Sequence, residues 1–197
     1  MRIPFYFDYA CPWAYLGSCR VEAFFADLGA EIDFRPVQLA TLKEPTAGQG
    51  PAPGERKKQW YGSDLKAWSE MIGADVNTDA RHLIKRSTRL ALKAALVAQD
   101  EGRFREYHYP TYRARWAEAR DISERNVVRE LLAGAGLDAD AALRRAESPE
   151  LEERIERDTQ DAIARGVFGV PTLFVGDRMF WGNDRFELVR FFIEKSS

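Results

Sequence analysis

Residues 7–14, Phe-Asp-Tyr-Ala-Cys-Pro-Trp-Ala, set a cysteine directly before a proline where a short apolar run gives way to a helical pattern. Proline is tolerated at the first helical position, where its missing N–H costs nothing, so Cys11 is read as the cap of a helix. A thiol there meets unpaired backbone N–H groups and the positive end of the helix dipole, and both favour thiolate. Cys11 is therefore the candidate nucleophile. Ala14 stands where a second cysteine would complete C-x-x-C, so no neighbouring sulfur can resolve what Cys11 attacks. The other cysteine, Cys19, lies about 12 Å further along the same helix, beyond the roughly 7 Å between Cα atoms that a disulfide spans. Cys19 is expected to be packed and inert.

Three other stretches carry groups that could bind a ligand. In Gly166-Val-Phe-Gly-Val-Pro-Thr172 a proline among small residues leads straight into a strand, which predicts a cis Val170–Pro171 bond opposite the Cys11 helix end. The Val170 N–H and C=O would then be free to pair with an extended, peptide-like ligand. Gly182-Asn-Asp-Arg185 precedes the last helix, where Asn183 and Asp184 serve either as caps or as an amide and a carboxylate that hold amino-acid head groups. Arg81, His82, Lys85, Arg86 and Arg89 crowd a third stretch. Such a run is usually a solvated face, but Arg81 or Lys85 turned inward would clamp a carboxylate. Trp60, Tyr61, Trp68 and Trp116 are candidates for an aromatic wall beside it, with core packing the competing role. No metal site is expected.

The elements that must position these groups follow from pattern. Ile3 to Phe7 reads as a short buried strand. Trp13, Leu16, Gly17, Val21, Phe24, Phe25 and Leu28 give the Cys11 helix a broad apolar face, stopped at Gly29, and residues 31–39 alternate as a second strand. Pro, Gly, Ala and Gln mark a loop over Lys43–Gly54. Residues 55–165 then read mostly as helix, with breaks near 73–78, 119–121, 134–136 and 148–149; Leu83, Ile84, Leu90, Ala91, Ala94 and Val97 form one predicted buried stripe. Thr172–Val175 and Arg178–Trp181 form a hairpin around Gly176-Asp177, and an amphipathic helix closes the chain over 185–195. With the insertion removed, β-α-β and then α-β-β-α remain. The expected class is α/β, a thioredoxin fold with a large all-helical insertion: residues 1–42 and 166–197, with the helix ending near 165, form the thioredoxin-like domain, and 43–165 the insertion.

Composition narrows the partners. The 197 residues are 45% hydrophobic and 12% aromatic, enough for one sizeable core. With 29 basic against 31 acidic side chains, the chain lacks the positive field of a nucleic-acid binder. No apolar stretch approaches the roughly 20 residues of a membrane span, and Asp8 interrupts any N-terminal signal-like run. A cytoplasmic protein with no membrane or nucleic-acid partner is expected.

Taken together, Cys11-Pro12, Val170-Pro171 and Gly182-Asn-Asp-Arg185 resemble the DsbA-like thioredoxin superfamily, and within it 2-hydroxychromene-2-carboxylate isomerases and kappa-class glutathione transferases. The likeness runs from FYFDYACPWAYLG through RSTRLALKAAL and ARDIS to GVFGVPTLFVGDRMFWGNDRFELV. It implies a glutathione-dependent isomerase or transferase acting on a small aromatic carboxylate, and a two-fold homodimer. Cys11 matches the position that contacts the glutathione sulfur, usually a serine in these enzymes and the attacking cysteine in the DsbA oxidoreductases. Val170 with Pro171 matches the segment that pairs with the cysteinyl part of glutathione, and Asn183 and Asp184 match the residues at its γ-glutamyl end. Ser87 departs from the asparagine often found in the corresponding helix. The alternative implied by Cys11 is a monothiol thiol-disulfide oxidoreductase, its mixed disulfide resolved by glutathione.

Overall fold

The computed structural model describes residues 1–42 and 54–196; the loop expected over Lys43–Gly54 lies outside the described residues except for Gly54, which caps the helix after it. Strand β1, Arg2–Phe7, buries Ile3, Phe5, Tyr6 and Phe7, as a strand covered on both faces must. Helix α1, Pro12–Phe25, follows with Cys11 as its cap and Pro12 at its start, as predicted. A short 3-10 turn continues it to Leu28, and Gly29 ends it at φ 59°, a left-handed value that favours glycine.

Strand β2, Glu31–Pro36, runs parallel to β1 with Phe34 opposite Phe5. It is shorter than the expected 31–39. The chain turns inward after Pro36, and Leu39–Leu42 forms a one-turn helix, α2, because the Leu39 N–H is drawn to the Asp8 carboxylate at 2.8 Å.

The insertion is helical among the described residues: α3 Glu55–Ile72, α4 Arg89–Asp100, α5 Phe104–Trp116, α6 Arg125–Gly134, α7 Ala139–Ala146 and α8 Pro149–Ala164. Asp138 and Ser148 cap α7 and α8 through their side chains, the cap at Ser148-Pro149 being where the sequence put it. One expectation fails at the start of α4. Residues 78–83 form a 3-10 helix and α4 begins only at Arg89, so Ile84 falls in the turn between them and is 54% exposed, while Leu83 is buried. Thr88, directly before α4, donates to Asp8 at 2.6 Å, which fixes the later start.

Strands β3, Thr172–Val175, and β4, Arg178–Trp181, make the predicted hairpin, and β3 pairs antiparallel with β1 through Phe5–Leu173 and Tyr6–Thr172. The sheet order is β2-β1-β3-β4. Helix α9, Phe186–Ser196, packs beside α1 and β3. This is the thioredoxin arrangement with the helices α3–α7 inserted between β2 and α8. Among the described residues no helix is long and apolar enough to cross a membrane, and no cluster of side chains is suited to a metal ion.

Where β1 meets α5, the rings of Phe7, Tyr9, Phe34, Phe104 and Tyr112 surround His108 with centroids 4.6–5.6 Å from its own. His108 is fully buried, bonded to Tyr9 Oη and Ser18 Oγ at 3.3 and 3.2 Å. Desolvation, helped by the Arg105 charge, holds its pKa well below the ordinary value. The unfolded chain therefore binds a proton below about pH 6.5 that the native state refuses, and stability, complete above that pH, falls as pH drops, by up to ~1.4 kcal/mol per unit. Urea midpoints measured between pH 7.5 and 5.0 should decline accordingly. In His108→Phe the decline over this window should vanish; a wild-type curve that stays flat would contradict the assignment.

Candidate active site

Cys11 sits where β1 hands over to α1, and an aspartate with no role in the sequence motifs sets that junction. Asp8 is 2% exposed. Its Oδ1 accepts from the Ala10 N–H at 2.9 Å and from the Thr88 hydroxyl, and its Oδ2 from the Leu39 N–H. Its main-chain oxygen accepts from the Cys11 N–H at 3.1 Å and the Tyr112 hydroxyl at 3.0 Å. Trp116 Nε1 donates to the Tyr9 carbonyl at 2.9 Å. Burial pushes the Asp8 carboxyl up, while the Thr88, Ala10 and Leu39 donors and the Arg115 charge pull it down. Arg115 is itself fully buried, donating to the Leu83 carbonyl at 2.6 Å, and burial lowers its pKa. Asp8 thus ties β1, α1, α2 and α4 to one point beneath the thiol.

The Cys11 thiol is 7% exposed and donates to the Val170 carbonyl at 3.1 Å. The Val170–Pro171 bond is cis, as expected. With no side-chain cap bond to make at its own helix, the thiol bonds to that carbonyl, whose second lone pair remains for a peptide-like ligand. The Pro171 carbonyl accepts from the Gly182 N–H at 2.9 Å, and a Cβ at Gly17 would stand 3.5 Å from Pro171 and 3.6 Å from the Asn183 Cβ. Position 17 thus lies within van der Waals reach of both segments, and its tightest neighbour is the Phe5 ring at 3.3 Å. The proline loop and the Gly182–Asn183 turn therefore meet on one side of the helix that Cys11 opens.

Asn183 and Asp184 play unlike parts there. Asn183 is 4% exposed, and its Nδ2 has no hydrogen-bond partner. The Asp184 carboxylate reaches solvent, 3.2 Å from the Arg185 guanidinium. Gly182 before them has φ 116°, and a Cβ there would lie 2.4 Å from Asp184 Oδ1, so glycine is required for this turn. Phe168 and Trp181 pack beside the proline loop with tilted rings 5.0 Å apart, both about half exposed.

On its other side Cys11 opens into a pocket of about 720 Å³ between the end of β1 and helix α3. Leu39, Leu65, Val76, Ile84 and Trp116 supply its apolar wall, and Tyr61, Lys66, Ser69, Glu70, Asp75 and Asn77 its polar groups. Two of the aromatic candidates, Tyr61 and Trp116, line this pocket. Trp60 does not: it is 60% exposed and absent from the lining, while Trp68 packs against the Arg20 guanidinium. Lys85 is exposed on the turn before α4 and does not line the pocket, and the Arg81 side chain lies outside the described residues. Among the described residues, Lys66 is the cation in the lining instead. Periodicity within α3 pairs Tyr61 with Leu65 and Lys66 with Ser69, yet only the packing of α3 over α1 turns that face toward Cys11.

Cys19 corrects another expectation. It lies on the exposed face of α1 rather than in the core, although its surroundings desolvate the thiol and push its pKa up to about 11. Neither cysteine is in a disulfide. Cys19 stays a protonated thiol, so inertness survives for a different reason.

The family model of the DSBA-like thioredoxin domain matches residues 2–194. A 2-hydroxychromene-2-carboxylate isomerase of Pseudomonas putida is 32% identical over 190 residues, covering 94% of this chain and 90% of its own. That of Sphingobium xenophagum is 28% identical over 193 residues, 97% of each chain. A solved structure of a 2-hydroxychromene-2-carboxylate isomerase superposes with a TM-score of 0.84 at 27% identity, over 99% of this chain and 95% of that one. With a helix that opens at Cys11-Pro12, a cis proline beside it and near full-length similarity, the chain belongs to the DSBA-like thioredoxin family and, within it, groups with the 2-hydroxychromene-2-carboxylate isomerases.

Proposed function

We propose that this protein is a glutathione-dependent isomerase of small aromatic carboxylates whose side chain carries a conjugated enone. The observation that carries the reading is the position of Cys11, with the Val170–Pro171 and Asn183–Asp184 segments on one side and a largely apolar pocket on the other. Glutathione occupies the first side: its sulfur at the Cys11 helix end, its backbone along the Val170 N–H, its γ-glutamyl amino group at Asp184. A carboxylate at that end would satisfy the unspent Asn183 amide donor. The aromatic acid occupies the pocket.

The thiolate adds to the terminal carbon of the conjugated system, and the alkene electron pair moves to the carbonyl oxygen. The bond that has become single rotates, and elimination returns the thiolate and the isomer. No redox partner is consumed. The helix end stabilises the thiolate with dipoles already in place, so nothing reorganises during the reaction. In this reading the enzyme works as a homodimer, and Leu188 and Phe191, exposed on α9, are apolar groups such an interface would cover.

The test is turnover of a conjugated aryl 2-oxo acid with and without glutathione. Isomerisation that requires glutathione is expected, and equal rates in its absence would reject the reading. Asp184→Ala should weaken glutathione binding by roughly 1.5–3 kcal/mol, the scale of a hydrogen bond to a charged group; titration calorimetry giving equal affinities would remove Asp184 from the site.

One observation favours a second reading. Cys11 is a cysteine, not a hydroxyl residue, and its sulfur lines a pocket, so it can itself attack a disulfide and be released by glutathione.

A further inference from the structure

Helix α3 lays one continuous face over Cys11. At about 100° per residue, Gly62 and Ser69 fall near the middle of this face, Tyr61 and Leu65 toward one margin, and Lys66 and Glu70 toward the other, and all six line the pocket. The depth of the pocket is apolar, since Trp116 and Leu65 are 2% and 8% exposed. Its mouth is charged: the Lys66 and Glu70 side chains are 73% and 69% exposed. An aryl acid therefore has one favourable orientation, ring inward and carboxylate outward.

The charges at the mouth are weakly committed to one another. Lys66 and Glu70 stand 3.9 Å apart, with lysine preceding the glutamate on the helix, the less favourable order for such a pair. An incoming carboxylate can take Lys66 from it. Tyr61 stands across the face, its ring edge-on to Trp13 at 5.4 Å. Desolvation, with the nearby Cys11 adding to it, pushes the Tyr61 pKa up to about 12, so this hydroxyl keeps its proton and can only donate toward an oxyanion.

We infer that Tyr61 and Lys66 form a two-point anchor for a 2-oxo acid, Lys66 pairing with the carboxylate and the Tyr61 hydroxyl donating to the adjacent carbonyl oxygen. The inference rests on the isomerase reading for its substrate class and deepens it. The carbonyl oxygen is where negative charge collects after sulfur adds, so the Tyr61 bond strengthens in the transition state. Lys66 acts on binding in both states. The two residues thereby acquire different kinetic signatures.

The experiment uses a probe that cannot isomerise, 4-phenyl-2-oxobutanoate, with its methyl ester and with 4-phenylbutanoate, which lacks the keto group. Binding to the full chain is read by calorimetry in wild type, Lys66→Met, Glu70→Gln and Tyr61→Phe. Lys66→Met should weaken the 2-oxo acid about tenfold and leave the ester unchanged, and Glu70→Gln should tighten the acid two- to threefold. Tyr61→Phe should weaken both keto compounds about fivefold and leave 4-phenylbutanoate unchanged. In turnover, Lys66→Met should raise KM and Tyr61→Phe lower kcat. Equal losses on acid and ester in Lys66→Met, equal losses with and without the keto group in Tyr61→Phe, or no binding of the probe to wild type would overturn the anchor. Probe binding needs neither glutathione nor turnover, so the expected pattern without isomerisation would reject the reaction alone, and isomerisation without the pattern would reject the anchor alone.

Discussion

Cys11→Ser should separate the two chemistries open to this site. Reduction of a glutathione mixed disulfide should fall to the uncatalysed level, because a serine hydroxyl stays protonated at neutral pH even at a helix N-terminus and is a far weaker nucleophile than a thiolate. Isomerisation of the conjugated 2-oxo acid with glutathione present should persist within about tenfold of wild type, or ~1.4 kcal/mol in the barrier, since the serine hydroxyl can still donate to the bound sulfur. The fold should be untouched: with no glutathione bound, the hydroxyl can give its one proton to the Val170 carbonyl, as the thiol does at 3.1 Å. Both assays are run on both proteins, with mass spectrometry of Cys11 for a glutathione adduct. Wild-type activity confined to disulfide reduction and lost in the variant would replace the isomerase by a monothiol oxidoreductase.

Asp8→Ala should be the most damaging single substitution near the site. It removes a carboxylate that accepts from Ala10, Leu39 and Thr88 and faces the buried Arg115. The main-chain N–H groups of Ala10 and Leu39 would be left without an acceptor, and Arg115, whose Nε and Nη1 already lack partners, would lose its compensating charge. Removing one member of a buried charged network costs roughly 3–5 kcal/mol, a large part of the ~5–15 kcal/mol a domain possesses. The urea midpoint reports this directly. Asp8→Asn retains an acceptor for Ala10 and Thr88 and should lie between wild type and alanine. In either variant Cys11 alkylation by iodoacetamide should change rate, because Asp8 holds the turn that aims the thiol. A loss under about 1 kcal/mol in Asp8→Ala would show that the network is dispensable.

Local sequence determined the elements whose boundaries are set by their own residues. Cys11-Pro12 starts α1, Gly29 stops it, Ser148-Pro149 starts α8 and Gly176-Asp177 turns the hairpin, because caps, prolines and left-handed glycines act within a few residues of themselves. The Cys11, Val170–Pro171 and Gly182–Arg185 segments were legible for the same reason, each being a short motif at an element end. What failed depended on partners far away in the chain. Strand β2 stops at Pro36 and α4 starts at Arg89 because Leu39 and Thr88 both bond to Asp8, 31 and 80 residues from it, and no local pattern contains such a pairing. The bond from the Cys11 thiol to the Val170 carbonyl spans 159 residues and was equally beyond any local pattern. Tertiary packing also decided which charged groups reach the pocket. Lys85, offered as a clamp had it turned inward, stays exposed with the solvated face that such a basic run usually forms, whereas Lys66 lines the pocket because α3 packs over α1. Sequence periodicity assigns a side chain to a face of its helix; only the fold fixes what that face meets.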